Sequence, residues 1–299
     1  MKKLIFILVT GVVFCSCNEL EVNQEISVKQ SEASETQRIA LNLEKDSIVH
    51  GKDGTILIFP HNCLNQDTGI VIVKLQEYYN LSDMLLGCLT TTSEQRILET
   101  DGMINVTVET ETGKDVCLSI GKCFKIQMPK TKEGMSLFYG NKKSDKIDWT
   151  ISETNTKSSA DSIPNYFKYG TFNYFESTKL GWINADKFLD FKEKSNLIVS
   201  LPESQSGASC YLVLTKYNSI VSGTTTKGNV TFKGMPANAK ATLISLGANE
   251  QFEFLSMKDV NTNDKLVQLS ILQPMSNKEI KSKLENKFDK NLKPTNNNE

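Results

Sequence analysis

Histidine is scarce in this chain of 299 residues, with only His50 and His61 present. Catalytic metal centres draw heavily on that side chain, so the composition argues against one. An excess of one charge is also missing: 34 Lys+Arg stand against 35 Asp+Glu. No basic run builds the electrostatic footprint that nucleic acid requires. After residue 14, no apolar run approaches the ~20 residues of a membrane-spanning helix. Gly-x-Ser-x-Gly, His-Glu-x-x-His and phosphate-cradling glycine loops are absent. Ser119-Ile120-Gly121-Lys122 matches Ser-x-x-Lys but lacks its Ser-Asp-Asn and Lys-Thr-Gly partners. His61 and Cys63 form a pair without a third ligand at zinc spacing. Asp259 opens a calcium-like loop in which Asp264 replaces the required Gly and Ser270 the required Glu. The expectation is a protein that is not an enzyme and uses neither cofactor nor metal.

What is present begins with Lys2 and Lys3, an apolar run over residues 4–14, then Cys15-Ser16-Cys17 and an abrupt change to polar sequence. That is the layout of a secretory signal. A small residue directly before a cysteine also resembles the bacterial lipoprotein signal. The resemblance implies a signal peptide over 1–16, lipid on Cys17 and an outer-membrane location, periplasmic or at the cell surface. Asn18 in place of Asp after the anchor argues, by the same resemblance, against retention in the inner membrane. Residues 18–37 are rich in Glu, Gln and Ser, poor in aromatics, and read with Cys17 as a flexible tether. Five cysteines then remain: Cys63, Cys88, Cys117, Cys123 and Cys210. Their spacing fits no disulfide framework, so they are expected as free thiols, with Cys117 and Cys123 the pair to test.

From residue 38 the pattern turns to short strands. Ile104, Val106 and Val108 alternate with polar neighbours, as do Val71, Val73 and Leu75, and Phe124, Ile126 and Met128. Turn residues separate the runs, at Gly51 to Gly54, Asp101-Gly102, Thr112-Gly113 and Gly121-Lys122. The expected fold class is all-β, two antiparallel β-sandwich domains in tandem with one short C-terminal helix. The first sandwich is placed at 38–151, a linker with an aromatic-rich segment at 152–192, and a smaller sandwich at 193–275. Ser276 and Glu279 then form a capping-box pair, and Ile280, Leu284 and Phe288 recur every fourth residue through a helix and tail over 276–292.

Gly54-Thr55-Ile56-Leu57-Ile58-Phe59-Pro60, a following long strand with Glu77, Met84-Leu85-Leu86, Thr90-Thr91-Thr92 and Glu99 to Met103 occur in a suggestive order, with a strand closing at Met128-Pro129. This order resembles the ZU-five type β-sandwich of ankyrins and netrin receptors, and more closely its version in Bacteroidota envelope lipoproteins. The resemblance covers roughly residues 47–150 and implies an interaction module. The self-cleaving His-Phe-Ser tripeptide of some members is absent. Leu180 to Asn184 is similar to a segment after the sandwich in the bacterial relatives, with Asn184-Ala185-Asp186 where Asn-Cys-Asp is common. The C-terminal unit resembles the transthyretin-type sandwich of carboxypeptidases.

Two sets of candidate residues follow. Asp46-Ser47-Ile48 and Asp161-Ser162-Ile163 fit the O-glycosylation pattern of Bacteroidota, which makes Ser47 and Ser162 candidate acceptors. Tyr166, Phe167, Tyr169, Phe172, Tyr174, Phe175, Trp182 and Phe188 crowd one short segment. They serve either as glue between two small cores or as a platform for a protein partner or a glycan, with Tyr174 and Trp182 as the contacts. The leading expectation is a lipid-anchored, non-enzymatic interaction or structural module whose protein partner is unidentified. The alternative is a glycan-binding component of a polysaccharide-handling system.

Overall fold

The computed structural model describes residues 34–66, 69–143, 146–153, 172–202, 207–226, 228–248 and 253–289. The expected signal segment, Cys17, Ser162, Tyr166, Phe167 and Tyr169 lie outside them.

The first sandwich has a large sheet in the order β1 (Gln37–Asn42), β4 (Ile70–Tyr78), β6 (Arg96–Thr110), β12 (Gly181–Phe188), β9 (Ser136–Lys143) and β10 (Lys146–Ile151). The short β5 (Thr92–Ser93) and β7 (Asp115–Val116) also pair with β6. Facing it is a sheet in the order β11 (Phe172–Ser177), β8 (Phe124–Pro129), β3 (Ile56–Phe59) and β2 (Ser47–His50). The second sandwich pairs β16 (Thr224–Thr226), β17 (Asn229–Pro236), β13 (Lys194–Ser200) and β20 (Val267–Gln268) in one sheet. Its other sheet runs β15 (Ser219–Ser222), β14 (Ser209–Leu214), β18 (Lys240–Ala248), β19 (Glu253–Asn261) and β21 (Gln273–Met275). Among the described residues every strand pair is antiparallel except β13 with β20. The protein is all-β in class, as the period-two alternations indicate.

Three apolar layers hold the four sheets. In β4, Val71, Val73 and Leu75 are fully buried and meet Leu57, Phe59 and Ile126 of the opposite sheet in the first core. Leu197, Val199, Leu212, Phe232 and Leu243 build the core of the second sandwich. Between the sandwiches lies a third layer. Strand β14 alternates, sending Leu212 and Leu214 to its own core and Tyr211 and Val213 to this seam. Strand β18 does the same with Leu243 inward and Ile244 and Leu246 outward, which is why nearly every residue of it is buried. From the first sandwich the seam receives Leu98, Met103, Phe138 and Trp149. The fifteen residues of β6 cross all three layers, with Ile97 in the second core, Leu98 in the seam and Ile104 to Val108 in the first core.

Hydrogen bonds register the two units. The Thr91 amide donates to the Ile220 carbonyl at 2.8 Å, and the Ile220 amide returns one to Thr91 Oγ1 at 2.9 Å. Asn218, in a left-handed conformation that asparagine tolerates, donates its side-chain amide to the Thr100 carbonyl at 2.9 Å.

Two helices close the seam. Helix α1 (Leu81–Leu86) is an addition to the sequence expectation; it buries Leu81, Met84, Leu85 and Leu86. Helix α2 (Asn277–Phe288) follows β21 and packs across α1. Its capping box forms as expected between Ser276 and Glu279, and Ile280, Leu284 and Phe288 are its buried residues. Each such side chain contributes about 1.5–3 kcal/mol on burial. The Lys287 ammonium meets the Asp259 carboxylate of β19 at 2.7 Å.

The expected linker over 152–192 needs correction. Residues 172–188 are β11 and β12, both parts of the first sandwich, and β12 is a central strand between β6 and β9. The first sandwich therefore extends well past residue 151. Its last two strands escape the pattern because aromatic and polar residues replace the simple aliphatic alternation, and because central β12 is buried on both faces. The Leu180 to Asn184 segment lies within the sandwich, not after it.

Candidate interaction surface

The structure separates the two aromatic contacts proposed from sequence. Trp182 lies on β12, in the register Asn105, Trp182, Gly140 across the large sheet. A Cβ at Gly140 would lie 2.7 Å from the Trp182 Cβ, so only glycine lets the two strands pack this way. The Trp182 ring is tilted 38° against Tyr78 at 5.5 Å and joins the seam with Phe188. Tyr174 lies on β11 of the other sheet and faces away from the first core, which receives its neighbour Phe175. The two therefore sit on opposite outer faces of the first sandwich. The aromatic segment is divided, with Phe175 in a core, Trp182 and Phe188 in the seam, and Phe172 and Tyr174 on the outside.

That outer face carries apolar side chains among polar ones, where the solvent side of an antiparallel sheet is commonly polar. Register places His50, Ile56, Gln127 and Tyr174 in one row across it, and Ile48, Ile58, Lys125 and Glu176 in the next. Ile48 is 38% exposed, and Ile56 and Ile58 are half-buried. Phe172 meets the Tyr174 ring edge-on at 6.2 Å. Gln127 beneath them is buried, and its side-chain carbonyl has no hydrogen-bond partner. The face thus offers aliphatic and aromatic area with an opposite-charge pair, Lys125 and Glu176, at its rim.

A carboxylate on the opposite sheet fixes the hairpin that carries this face. Glu77 continues the inward row of Val71, Val73 and Leu75 and is 1% exposed. It accepts the Asp53 and Thr55 amides at 3.0 Å each and the Gln37 side-chain amide at 2.7 Å. These bonds bind the Gly51 to Gly54 turn between β2 and β3. A Cβ on Gly51 would come within 2.5 Å of both Glu77 oxygens. Burial pushes the neighbouring Asp53 carboxyl above its usual range, and the Glu77 charge adds to the rise. Sequence reading noted Glu77 without a role; the usable signal was an acid interrupting an inward apolar row.

A second polar cluster, missed from sequence, lies where β6 bulges against β12. Asp101 is the extra residue, and Gly102 follows it at φ 131°, with Tyr79 pressed so close that no Cβ fits. Asp101 accepts from Thr131 Oγ1 at 2.5 Å and Asn173 Nδ2 at 2.9 Å. On the neighbouring positions Thr100 Oγ1 donates to Asn184 Oδ1 at 2.8 Å, and Asn184 Nδ2 donates to Asp186 Oδ2 at 2.7 Å. Burial pushes the Asp186 carboxyl well above the carboxylate range; the Thr100 hydroxyl eases this and the Asp101 charge adds to it. Burial would also raise Glu99, but Lys132 and Lys187 hold it below its usual value.

Ser47 Oγ donates to the Asn42 carbonyl at 2.9 Å, so this candidate acceptor is engaged in its own turn. His61 donates its amide to Asp46 at 2.7 Å and places Nδ1 2.8 Å from the Leu43 carbonyl. Among the described residues no disulfide forms between Cys63, Cys88, Cys117, Cys123 and Cys210, so Cys117 and Cys123 are not bonded to each other. Among the described residues no three His, Cys, Asp or Glu side chains gather as metal ligands, and no helix is long and apolar enough to cross a membrane. No protein-family model matches the chain, and no curated protein matches it.

Proposed function

We propose that this chain is a lipid-anchored outer-envelope protein of the Bacteroidota ZU-five-like type, tethered through Cys17 and acting as a non-enzymatic interaction module. The observation supporting this reading is the apolar outer face of the β2–β3–β8–β11 sheet, with Ile48, Ile56, Ile58 and Tyr174 turned away from the core. A body locked by a continuous apolar seam suits presentation of such a face, because rigid partners lose little entropy on association. A protein partner accounts for the face better than a glycan does. Sugar sites stack on aromatic planes, and Trp182, the second aromatic of that reading, packs in the seam.

The experiment is affinity capture from envelope extracts with the lipidated protein, compared with the double variant Ile58→Lys, Tyr174→Ala. Both residues are partly exposed, so the fold should survive. A specific partner lost with the variant supports the reading. Equal capture by both proteins, or binding to a glycan array that depends on Tyr174, overturns it. Replacing Cys17 with Ala should release the protein from the membrane fraction, and unchanged fractionation rejects the anchor.

A further inference from the structure

At one end of the first sandwich two strands meet on the same edge of β6. Strand β12 begins with Gly181 opposite Val106, and β7 takes over with Val116 opposite Val108. The chain entering β12 through residues 178–180 must therefore turn aside, and it leaves a cleft of about 450 Å³ between itself and residues 115–118. The volume falls within the range of small-molecule sites, about 300–1,000 Å³. Val108 and Val116, buried members of the first core, form its floor, and Leu118 and Leu180 pack against the same core.

The two walls carry opposite charges. Asp115 belongs to the β7 wall and Lys179 to the facing wall, and both are exposed. Neither has an ion-pair partner among the described residues. Lys179 Nζ lies 5.0 Å from the centre of the Tyr139 ring, a contact that places the ammonium without neutralising it. An apolar floor between one anion and one cation is complementary to a molecule with an ammonium at one end, a carboxylate at the other and aliphatic groups between. A dipeptide, two residues at about 3.5 Å each, is of the size that a cleft of this volume takes.

We propose that the cleft binds a zwitterionic dipeptide with aliphatic side chains, its ammonium at Asp115 and its carboxylate at Lys179. The proposal is independent of the lipid anchor and of the apolar sheet face. Cys117 borders the cleft and is exposed, so its alkylation by iodoacetamide, followed by peptide mapping, reads occupancy. Leucyl-leucine should protect Cys117 saturably. N-acetylation or C-amidation of the dipeptide should each weaken protection about tenfold, a loss of about 1.4 kcal/mol. Asp115→Ala should erase the difference between free and acetylated peptide, and Lys179→Ala that between free and amidated peptide. No protection at millimolar dipeptide, or equal protection by the doubly blocked peptide, overturns the proposal. Both substitutions lie on exposed positions, and circular dichroism of each variant checks that the fold is kept.

Discussion

The Asn184 side-chain amide donates a 2.7 Å hydrogen bond to one oxygen of Asp186, a wholly buried carboxyl whose other oxygen has no partner. Two residues apart on β12, they share the face that looks into the seam, beside the bulge in β6. The arrangement suits a protonated acid, since a neutral carboxyl is far cheaper to bury than a carboxylate.

Asp186 should therefore make stability fall as pH rises. Its folded pKa lies above the unfolded value of about 3.9. The stabilisation is complete below that unfolded value and is lost as pH climbs through the raised folded value. Asp101, Thr100 and Asn184 are the groups around it, and Asp101 strengthens the effect. Asp186→Asn cannot ionise, so its stability relative to the parent should rise between pH 4 and pH 8, by about 1.4 kcal/mol for each pH unit by which folding raises the Asp186 pKa. Urea unfolding at both pH values checks this, and a parallel pH dependence in the two proteins refutes it.

Gly51→Ala should destabilise the first sandwich, because the new methyl would lie 2.5 Å from the Glu77 oxygens. Glu77→Gln keeps the shape but turns one acceptor into a donor that faces an amide. That leaves a buried group unpaired at a cost of about 1–3 kcal/mol. Hydrogen exchange should show the Asp53 and Thr55 amides, which Glu77 now holds, losing protection first.

Helix α2 should act as the clasp of the seam. Leu284→Ala removes a fully buried side chain packed against α1 and the five-stranded sheet, with an expected loss of about 2–5 kcal/mol. Ser276→Ala removes the N-cap, at about 1 kcal/mol. Deleting the chain from residue 276 should split one cooperative denaturation into two, read by calorimetry. A single transition in the truncated protein would show that the seam holds without the helix.

The two tryptophans should report different environments. Trp149 is fully buried and donates from Nε1 to the Thr90 carbonyl at 2.6 Å, whereas Trp182 is half-buried. In Trp149→Phe the remaining emission should shift to longer wavelength and be quenched more readily by iodide. In Trp182→Phe it should stay blue-shifted and protected. Equal quenching of both variants contradicts the placement.

Local chemistry settles much of this protein before any folding. Val71, Val73 and Leu75 alternate because a strand has two faces, and Ser276 with Glu279 starts a helix because its free amides need acceptors. Sequence also sufficed for the all-β class. It could not place β12, whose partners β6 and β9 lie some 80 and 45 residues away in the chain. Nor could it divide the aromatic segment, since a ring is glue or surface according to which face of which sheet it occupies. Trp182 became seam and Tyr174 became surface when their strands joined opposite sheets. Asp186 became a buried acid only when β12 paired with β6 and set it beside Thr100 and Asp101. Those assignments depend on non-local pairing and on which layer covers which face, and only the tertiary structure decides both.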